Sequence, residues 1–237
     1  MIDTNFFFKS LIKNDINFFS GVPDSLLKNI CAYISDHADS KNHIIAANEG
    51  NALAIALGAQ MASYKIPLVY LQNSGLGNLV NPLVSLADPQ IYSIPSILLI
   101  GWRGEPGIKD EPQHIKQGLI TEDLLNVLDI PYEVIDGNTS ESELISILKK
   151  QKEKTLTEMS PVALLIKKGT FCAYSMSTKP VSLSNQNLMS RTEFIEYFLN
   201  MQAAHAIVST TGVTSRELLQ TRKKFNQDPS GDFLTVG

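Results

Sequence analysis

Three segments of the sequence concentrate glycine, amide and charged side chains beyond what packing alone requires. The first begins at Asn48 and Glu49, at the predicted start of a strongly apolar helix. A carboxylate there has two interpretations: it could take part in acid–base chemistry, or it could simply complement the positive end of the helix dipole. Its position in the sequence alone favours the second, structural interpretation.

The second segment, 72–78, has the sequence QNSGLGN and directly follows an apolar run with the character of a strand. In open parallel sheets, ligands bind beyond the carboxyl ends of the strands, and this segment occupies such an end. Its glycines permit close approach to the backbone, and its amides offer donors without charge. The Lys-Ser/Thr ending of a Walker loop is absent. A structural turn and a ligand-binding loop remain equally open.

The third segment, 101–114, follows another apolar run and is predicted to be a long loop. Loops of this length are uncommon inside compact domains and often carry function. Arg103 and Lys109 could bind an anion, and arginine offers bidentate geometry to a carboxylate or phosphonate. The alternative is that the charges only brace the loop, with Arg103 paired to Glu105 and Lys109 paired to Asp110. The length and composition of the segment favour a binding role.

Around these segments, short apolar runs alternate with helical patterns, which predicts an α/β fold with a parallel sheet flanked by helices. Strands are predicted at 16–20, 43–47, 67–71, 95–100, 132–135 and 162–166. Helices are predicted at 26–33, 48–64, 77–86, 119–128 and 141–154. Either Asp24 or Ser25 is expected to cap the first helix, and the last strand is expected to close the sheet. Helix 48–64 is apolar nearly all round, which predicts that it is buried.

The composition is that of a globular protein: 43% of the 237 residues are hydrophobic, 19% are charged, and the formal net charge is −4. These proportions exclude a disordered or fibrous chain and argue against nucleic acid as a partner. No uncharged apolar run reaches the ~18 residues that a membrane span needs, and no export signal is visible. With only two cysteines, Cys31 and Cys172, the protein is expected in the reducing cytoplasm, away from membranes.

Three regions follow from the composition along the chain. Residues 1–173 are predicted to form the α/β domain, and residues 174–188, rich in Ser, Asn and Lys, a linker. Residues 189–237 are predicted to begin a second, incomplete α/β domain. Its helices are predicted at 191–199 and 215–224, and its strands at 206–209 and 233–236.

Taken in order along the chain, the motifs resemble those of the phosphonopyruvate decarboxylases, a family of thiamine diphosphate-dependent 2-keto acid decarboxylases. The motifs that carry the resemblance are FSGVPDSLL at 19–27, ANEGNA at 47–52, QNSGLGN at 72–78, GWRGEPG at 101–107, KDEPQH at 109–114, TG at 211–212 and TSREL at 214–218. They cover essentially the whole chain. QNSGLGN is shared with sulfopyruvate decarboxylases, whereas GWRGEPG is more particular to the phosphonopyruvate enzymes.

The resemblance implies thiamine diphosphate and Mg²⁺, with the pyrimidine ring held by this domain and the diphosphate and metal by a second one. Glu49 matches the family's glutamate that bonds the ring nitrogen opposite the amino group, which reverses the structural interpretation of this residue. Catalytic roles are expected for Glu49 and His114. Further cofactor contacts are expected from Gly21, Pro23, Asn73 and Ser74. Substrate contacts are expected from Asp24, Ser25, Arg103, Lys109 and Gln113, and no metal ligand is expected.

The complete enzyme is expected to convert phosphonopyruvate to phosphonoacetaldehyde and CO₂ in phosphonate biosynthesis. It would be a homodimer or larger homo-oligomer with active sites at the interface. In place of the family's Gly-Asp-Gly…Asn metal motif the chain has Gly231-Asp232-Phe233, so it is interpreted as a shortened form, inactive alone. Two alternatives remain: the pyrimidine-side subunit of a sulfopyruvate decarboxylase, and a non-catalytic α/β dimerisation domain.

Overall fold

The computed structural model describes residues 1–177, 188–201, 206–210 and 212–236. The chain divides into two compact units, Met1–Lys179 and Pro180–Gly237. Most of the predicted linker, residues 178–187, lies outside the described residues, and so does Thr211 of the TG motif.

The first unit is built on a six-stranded sheet in which all paired strands run parallel. Its strands are β1 Phe18–Gly21, β2 His43–Ile45, β3 Pro67–Gln72, β4 Ser96–Gly101, β5 Tyr132–Ile135 and β6 Pro161–Ile166. Their order across the sheet is β2-β1-β3-β4-β6-β5. Because the strands are parallel, their carboxyl ends all lie along one edge of the sheet. The predicted class, an α/β fold with a parallel sheet flanked by helices, is confirmed.

Helices cover both faces of this sheet. They are α1 Thr4–Lys13, α2 Lys28–His37, α3 Glu49–Ser63, α4 Leu76–Pro82, α5 Pro112–Val127 and α6 Glu141–Glu158. A 3₁₀ turn at Asn73–Gly75 precedes α4, and a π turn at Leu83–Ala87 follows it. One buried cluster joins α1, α2 and α6 to the sheet through Phe7, Ile30 and Leu148. The other joins α3, α4 and α5 to the opposite face through Leu53, Leu79 and Leu125.

Two predictions about helices need correction. α5 begins at Pro112, seven residues before the predicted start at 119, so the loop after β4 is shorter than expected. Proline is well suited to a first helical position because its φ angle is already helical and its missing N–H is not needed there.

α3 is buried only on the face that carries Ala52 and Leu53, and Met61 on its outer face is 56% exposed. Its outer apolar side chains have no neighbouring layer in the part of the chain that the structure describes.

The position of β6 also differs from the prediction. This strand is the last of the sheet in chain order, but it lies between β4 and β5 instead of at the edge. All six of its residues are buried, whereas β5 is only partly buried and carries Glu133. A continuous apolar strand suits an interior position, and the more polar strand takes the edge. One helix of the first unit, α1 at Thr4–Lys13, was not predicted from the sequence.

The second unit contains two parallel strands and two helices among its described residues. They are α7 Arg191–Met201, β7 Ile207–Thr210, α8 Val213–Lys224 and β8 Asp232–Val236. Its small core is formed by Ile195, Leu199 and Leu218. Arg222 holds Asp232 through two hydrogen bonds of 2.8 and 2.7 Å, so Asp232 of the Gly231-Asp232-Phe233 sequence is committed to an internal ion pair. None of the helices in the described residues combines the length and apolar composition that crossing a membrane requires.

Candidate functional site

Glu49 is the first residue of α3, at the carboxyl end of β2. Asn48 caps this helix by accepting a hydrogen bond from the backbone N–H of Asn51 at 2.9 Å. The side-chain amide of Asn78 donates a hydrogen bond of 2.7 Å to Oε2 of Glu49. Oε1 makes no hydrogen bond to any residue that the structure describes. One carboxylate oxygen is therefore anchored, and the other is available to a ligand.

Gly75 allows the 3₁₀ turn after β3 to approach this carboxylate. A Cβ atom at position 75 would lie 2.5 Å from Cδ of Glu49, far inside van der Waals contact. Any side chain there would displace the carboxylate. Gly75 of the QNSGLGN segment therefore has a physical role in this site, because it makes room for Glu49.

Asn73 is fully buried and braces the loops after β3 and β4. Its side-chain amide donates to the backbone oxygen of Arg103 at 2.8 Å and to Oγ1 of Thr121 at 2.9 Å. Its side-chain oxygen accepts from the backbone N–H of Arg103 at 3.1 Å. Both amide hydrogens are thus used within the protein. Cofactor binding by Asn73 stays a prediction, and the contacts observed are those of a scaffold.

The other predicted cofactor residues lie along the same edge of the sheet. Ser74 is exposed and accepts a hydrogen bond from the side chain of Gln72 at 2.6 Å. Gly21 ends β1, and its backbone oxygen accepts from the N–H of Ala46 at 3.0 Å. Pro23 is exposed in the loop that follows. Ser74 and Pro23 are therefore both accessible to solvent.

Asp110, which was not predicted as a site residue, is the centre of the loop after β4. It accepts hydrogen bonds from Nε and a terminal nitrogen of Arg103 at 2.8 and 2.5 Å, and from the backbone of Gly104 and Glu111 at 2.9 and 2.8 Å. Nδ1 of His114 lies 3.0 Å from its Oδ1. The Arg103 guanidinium, with these other donors, holds the pKa of Asp110 well below its usual range.

These contacts differ from the ion pairs considered in the sequence. Arg103 pairs with Asp110 and not with Glu105, which instead binds Lys167 at 2.6 Å. Lys109 is exposed and makes no ion pair with any residue that the structure describes. A signal that could have identified Asp110 is Pro112, because proline favours the first turn of a helix and its position places His114 in that turn, next to Asp110 just before the helix.

The contact with Asp110 fixes the tautomer of the neutral His114 imidazole. An ionised carboxylate can only accept hydrogen bonds, so Nδ1 of His114 must carry the hydrogen. In the neutral imidazole, Nε2 then has a free lone pair and can accept a proton. His114 lies in the first turn of α5, with 13% of its side chain exposed.

Gly104 lets the loop fold back onto this turn. Its φ angle is +68°, in the region that favours glycine, and a Cβ atom there would lie 1.9 Å from the backbone oxygen of His114. The approach of Asp110 to His114 therefore depends on glycine at position 104.

Asp24 is buried in the loop after β1. Its Oδ2 accepts hydrogen bonds from the N–H groups of Leu26 and Leu27 at 2.9 and 3.1 Å, so it caps the turn before α2 and not α2 itself, which begins at Lys28. Oδ1 is buried without a hydrogen-bond partner in the described residues. Burial raises the pKa of this carboxyl. Asp24 is thus a buried acid with one unsatisfied oxygen beside the site.

The structure brings several of the predicted residues into direct contact. A terminal nitrogen of Arg103 donates to Oγ of Ser25 at 2.6 Å, which links the loops after β1 and β4. A chain of contacts therefore runs from Ser25 to Arg103, from Arg103 to Asp110, and from Asp110 to His114. Lys109 and Gln113 are exposed outside this network. Within the described ranges, no group of three or more His, Cys, Asp or Glu side chains could hold a metal ion.

The first half of the chain matches a known protein family. Residues 4–125 match the family described as "Thiamine pyrophosphate enzyme, N-terminal TPP binding domain". These residues include β1 to β4, the start of α3 and the loop that carries Asp110.

Two kinds of relative are similar in sequence. Phosphonopyruvate decarboxylase of Streptomyces viridochromogenes is 34% identical over 213 residues, which cover 84% of this chain and 52% of that protein. Sulfopyruvate decarboxylase subunit alpha of Methanococcus maripaludis is 31% identical over 159 residues, 67% of this chain and 90% of that subunit. The chain spans about half the length of the phosphonopyruvate decarboxylases that it matches. The family resemblance inferred from the motifs is confirmed.

Solved structures share the fold. The thiamine diphosphate-dependent 4-hydroxybenzoylformate decarboxylase of Rhodococcus jostii RHA1 superposes with a TM-score of 0.53 at 15% identity, covering 93% of this chain and 41% of that one. Benzoylformate decarboxylase of Polynucleobacter necessarius gives the same TM-score and identity, over 90% of this chain and 39% of that one. At this identity the likeness concerns the fold alone.

Proposed function

The chain belongs to the thiamine pyrophosphate enzymes and carries their N-terminal TPP-binding domain, and from this premise we propose that it is the pyrimidine-binding part of a phosphonopyruvate decarboxylase. The reaction would convert phosphonopyruvate to phosphonoacetaldehyde and CO₂. The observation that carries the proposal is the network of Ser25, Arg103, Asp110 and His114, which sets a cation and a proton acceptor side by side at the carboxyl edge of the sheet.

The surroundings of Glu49 fit the cofactor's pyrimidine ring. A ring nitrogen that carries or receives a proton needs a carboxylate oxygen without another partner, and Oε1 of Glu49 is such an atom among the described residues. The space left by Gly75 holds this carboxylate against the turn after β3. Bound thiamine diphosphate supplies the electron sink that makes loss of CO₂ from a 2-keto acid possible.

The described residues do not fit a magnesium–diphosphate site. They offer no cluster of carboxylates for the metal, and Asp232 is held by Arg222. Mg²⁺ prefers oxygen ligands in an octahedral arrangement. We therefore assign the metal and diphosphate to protein outside the described residues.

Two residues of the chain have roles in the chemistry. Glu49 would bond the ring nitrogen of bound thiamine diphosphate and hold a proton there. His114, with its hydrogen on Nδ1, would present Nε2 as the atom that accepts or returns a proton during the reaction. Arg103 attracts the anionic substrate, and its contacts with Asp110 and Ser25 keep the guanidinium in one orientation.

A second candidate is supported by the comparison with sulfopyruvate decarboxylase. The alpha subunit of that enzyme is matched over 90% of its length, so a two-chain enzyme acting on sulfopyruvate is the alternative function. The two substrates differ in the anion next to the keto acid. A non-catalytic α/β dimerisation domain would need neither the open oxygen of Glu49 nor the Asp110–His114 contact.

The outer face of α3 supports a role in assembly. Its exposed apolar side chains, with Met61 among them, could pack against a second copy in a homodimer or larger homo-oligomer with active sites at the interface. Cys31 and Cys172 are both free, which is consistent with the proposed cytoplasmic location.

The test begins with the intact natural polypeptide. Its mass shows whether residues beyond this sequence belong to it, and light scattering shows its assembly. The polypeptide is then supplied with thiamine diphosphate and Mg²⁺ and assayed for CO₂ release from phosphonopyruvate, sulfopyruvate and pyruvate. Preference for phosphonopyruvate supports the proposal, and preference for sulfopyruvate supports the alternative. Binding of the cofactor without turnover of any of the three would overturn both.

A further inference from the structure

A cavity of ≈ 350 Å³ lies between the loop after β1, the start of α2, the loop after β4 and the turn after β6. Its polar and charged lining residues are Ser25, Lys28, Asn29, Arg103, Asp110 and Lys168. The volume is several times the ~30 Å³ that one water molecule occupies in the liquid, so the cavity can hold a small polyatomic ligand.

The charges around the cavity do not balance. Lys28, Arg103 and Lys168 are cations, and Asp110 is the one carboxylate of the lining. Asp110 is paired with Arg103 and accepts hydrogen bonds from the neighbouring backbone as well. Lys28 and Lys168 make no ion pair with any residue in the described ranges. Asp24 and Glu111 also act electrostatically on Arg103. Lys28 and Lys168 therefore remain two cations uncompensated by an ion-pair partner in the described ranges.

Hydrogen-bond donors are also available there. Arginine has five N–H groups, and the contacts of Arg103 with Asp110 and Ser25 use three of them. Since Oγ of Ser25 accepts from Arg103, its own hydrogen is free to donate. At the start of α2, the backbone N–H groups of Lys28 and Asn29 have no acceptor among the described residues, and Leu27 offers no side-chain cap.

We propose that this cavity binds the phosphonate group of the substrate, at the end remote from the keto carbon, and that Lys28 and Lys168 determine specificity for it. The inference rests on the proposed function and extends it from Arg103 to two residues that no motif singled out. A tetrahedral oxyanion accepts several hydrogen bonds at once, which suits donors that converge from three segments.

The charge of the site favours a phosphonate over a sulfonate. A phosphonate is a dianion at mildly alkaline pH, and its two charges match the two uncompensated cations. A sulfonate carries a single charge and has the same tetrahedral shape. The cavity is therefore expected to discriminate between the two anions by charge and not by size.

The test measures binding of small anions to the 237-residue chain, without turnover. Methylphosphonate and methanesulfonate are titrated separately into ¹⁵N-labelled protein at mildly alkaline pH, and backbone amide shifts are followed by NMR. We expect methylphosphonate to bind more tightly and to shift the amides of Lys28, Asn29 and Gly169. Equal affinity for the two anions, or shifts confined to other parts of the chain, would overturn the proposal.

Lysine variants provide the second measurement. Lys28→Met and Lys168→Met are each expected to weaken methylphosphonate binding roughly two- to fivefold, the range for partly exposed charge pairs, with a larger loss in the double variant. Lys65→Met is the matched control, because Lys65 is exposed before the amino end of β3, on the far side of the sheet from the cavity. A double variant that binds like the control contradicts the assignment.

The two proposals fail in different ways. If methylphosphonate binds as expected but the intact polypeptide does not decarboxylate phosphonopyruvate, the cavity is an anion site and the proposed function is wrong. If phosphonopyruvate is decarboxylated with the same KM in the wild type and the double lysine variant, the function stands and the cavity does not bind the phosphonate.

Discussion

Nδ1 of His114 donates a hydrogen bond of 3.0 Å to Oδ1 of Asp110, the same carboxylate that holds Arg103. In Asp110→Asn, an NH₂ group replaces one of the two carboxylate oxygens. This group cannot accept a hydrogen bond from Arg103 or His114. The imidazole then loses its fixed tautomer, and we expect kcat/KM to fall about ten- to a hundredfold.

The tautomer itself can be measured. In the wild-type chain, ¹⁵N NMR of the neutral imidazole of His114 should show hydrogen on Nδ1, and Asp110→Asn should give a mixture. Asp123→Asn, an exposed position on α5, is the control and should leave the signal unchanged. A wild-type His114 with its hydrogen on Nε2 would contradict the role assigned to Asp110.

Glu49→Gln tests the proposed contact with the pyrimidine ring. Glutamine keeps the size of the side chain but cannot exchange a proton with a ring nitrogen. Turnover of the intact natural polypeptide should therefore fall by about 10²–10⁴-fold, with a smaller effect on cofactor affinity.

The control for this variant is Glu141→Gln. Glu141 is also the first residue of a helix that follows a side-chain cap, in this case Ser140. Both variants remove the same interaction with a helix dipole. If they affect turnover equally, Glu49 is only a structural first-turn glutamate.

Arg103→Ala is expected to lower kcat/KM for phosphonopyruvate by about ten- to a hundredfold, and for pyruvate much less, because a charge-assisted contact to the second anion is lost. Lys109→Ala serves for comparison, since Lys109 is exposed and does not line the cavity beside Arg103. Equal losses on both substrates would mean that Arg103 braces the loop without touching the phosphonate.

Asp24→Asn should make the protein more stable at neutral pH. Because burial raises the pKa of Asp24, the folded state favours the protonated acid, and stability is lost as pH rises through that pKa. Removing the charge should gain on the order of 1 kcal/mol, or about 2–4 °C in Tm.

The gain from Asp24→Asn should vanish below about pH 4, where both folded and unfolded chains carry the acid in its neutral form. The exposed position Asp39 gives the matched control, Asp39→Asn. A melting temperature that falls at neutral pH would show that the ionised carboxylate stabilises the fold.

Gly104→Ala should destabilise the first unit by about 1–3 kcal/mol, since alanine disfavours a positive φ angle and its Cβ would collide with the backbone of His114. Gly58→Ala, at an exposed site in α3 where a Cβ meets nothing within 4 Å, should instead stabilise by up to about 1 kcal/mol. Urea unfolding can be followed by fluorescence of Trp102, the single tryptophan of the chain. Equal stability of the two variants would contradict the strain assigned to Gly104.

Much of the fold could be predicted from local sequence. The runs at β3 and β4 are continuously apolar because both faces of these strands are covered, and Asn48 marks the start of α3 through its side chain. Local sequence patterns could not predict the order of the strands across the sheet. The continuous apolar composition of β6 favours an interior position, but nothing within the strand identifies β4 and β5 as its neighbours, because pairing depends on all the strands of the sheet.

The roles of the site residues stay predictions, and the contacts among these residues could be foreseen only in part for a similar reason. Arg103 stands out by residue type and context, and Glu49 only through the family resemblance, whereas Asp110 looks like a partner for its neighbour Lys109. Its actual contacts with Arg103 and His114 arise because the chain turns back at Gly104 and because α5 starts early, at Pro112. Lys28 and Lys168 were missed because they lie far apart in sequence and meet only around the cavity.

The interior position of β6 affects how the chain folds during its synthesis. Until Pro161–Ile166 leaves the ribosome, β4 has an unpaired edge, and strand edges that are long and apolar invite pairing with other chains. A fragment cut at residue 125, where the family match ends, would keep that edge open permanently and is expected to aggregate. A segment that is to fold on its own is therefore expected to extend at least through β6, some forty residues past the end of the family match.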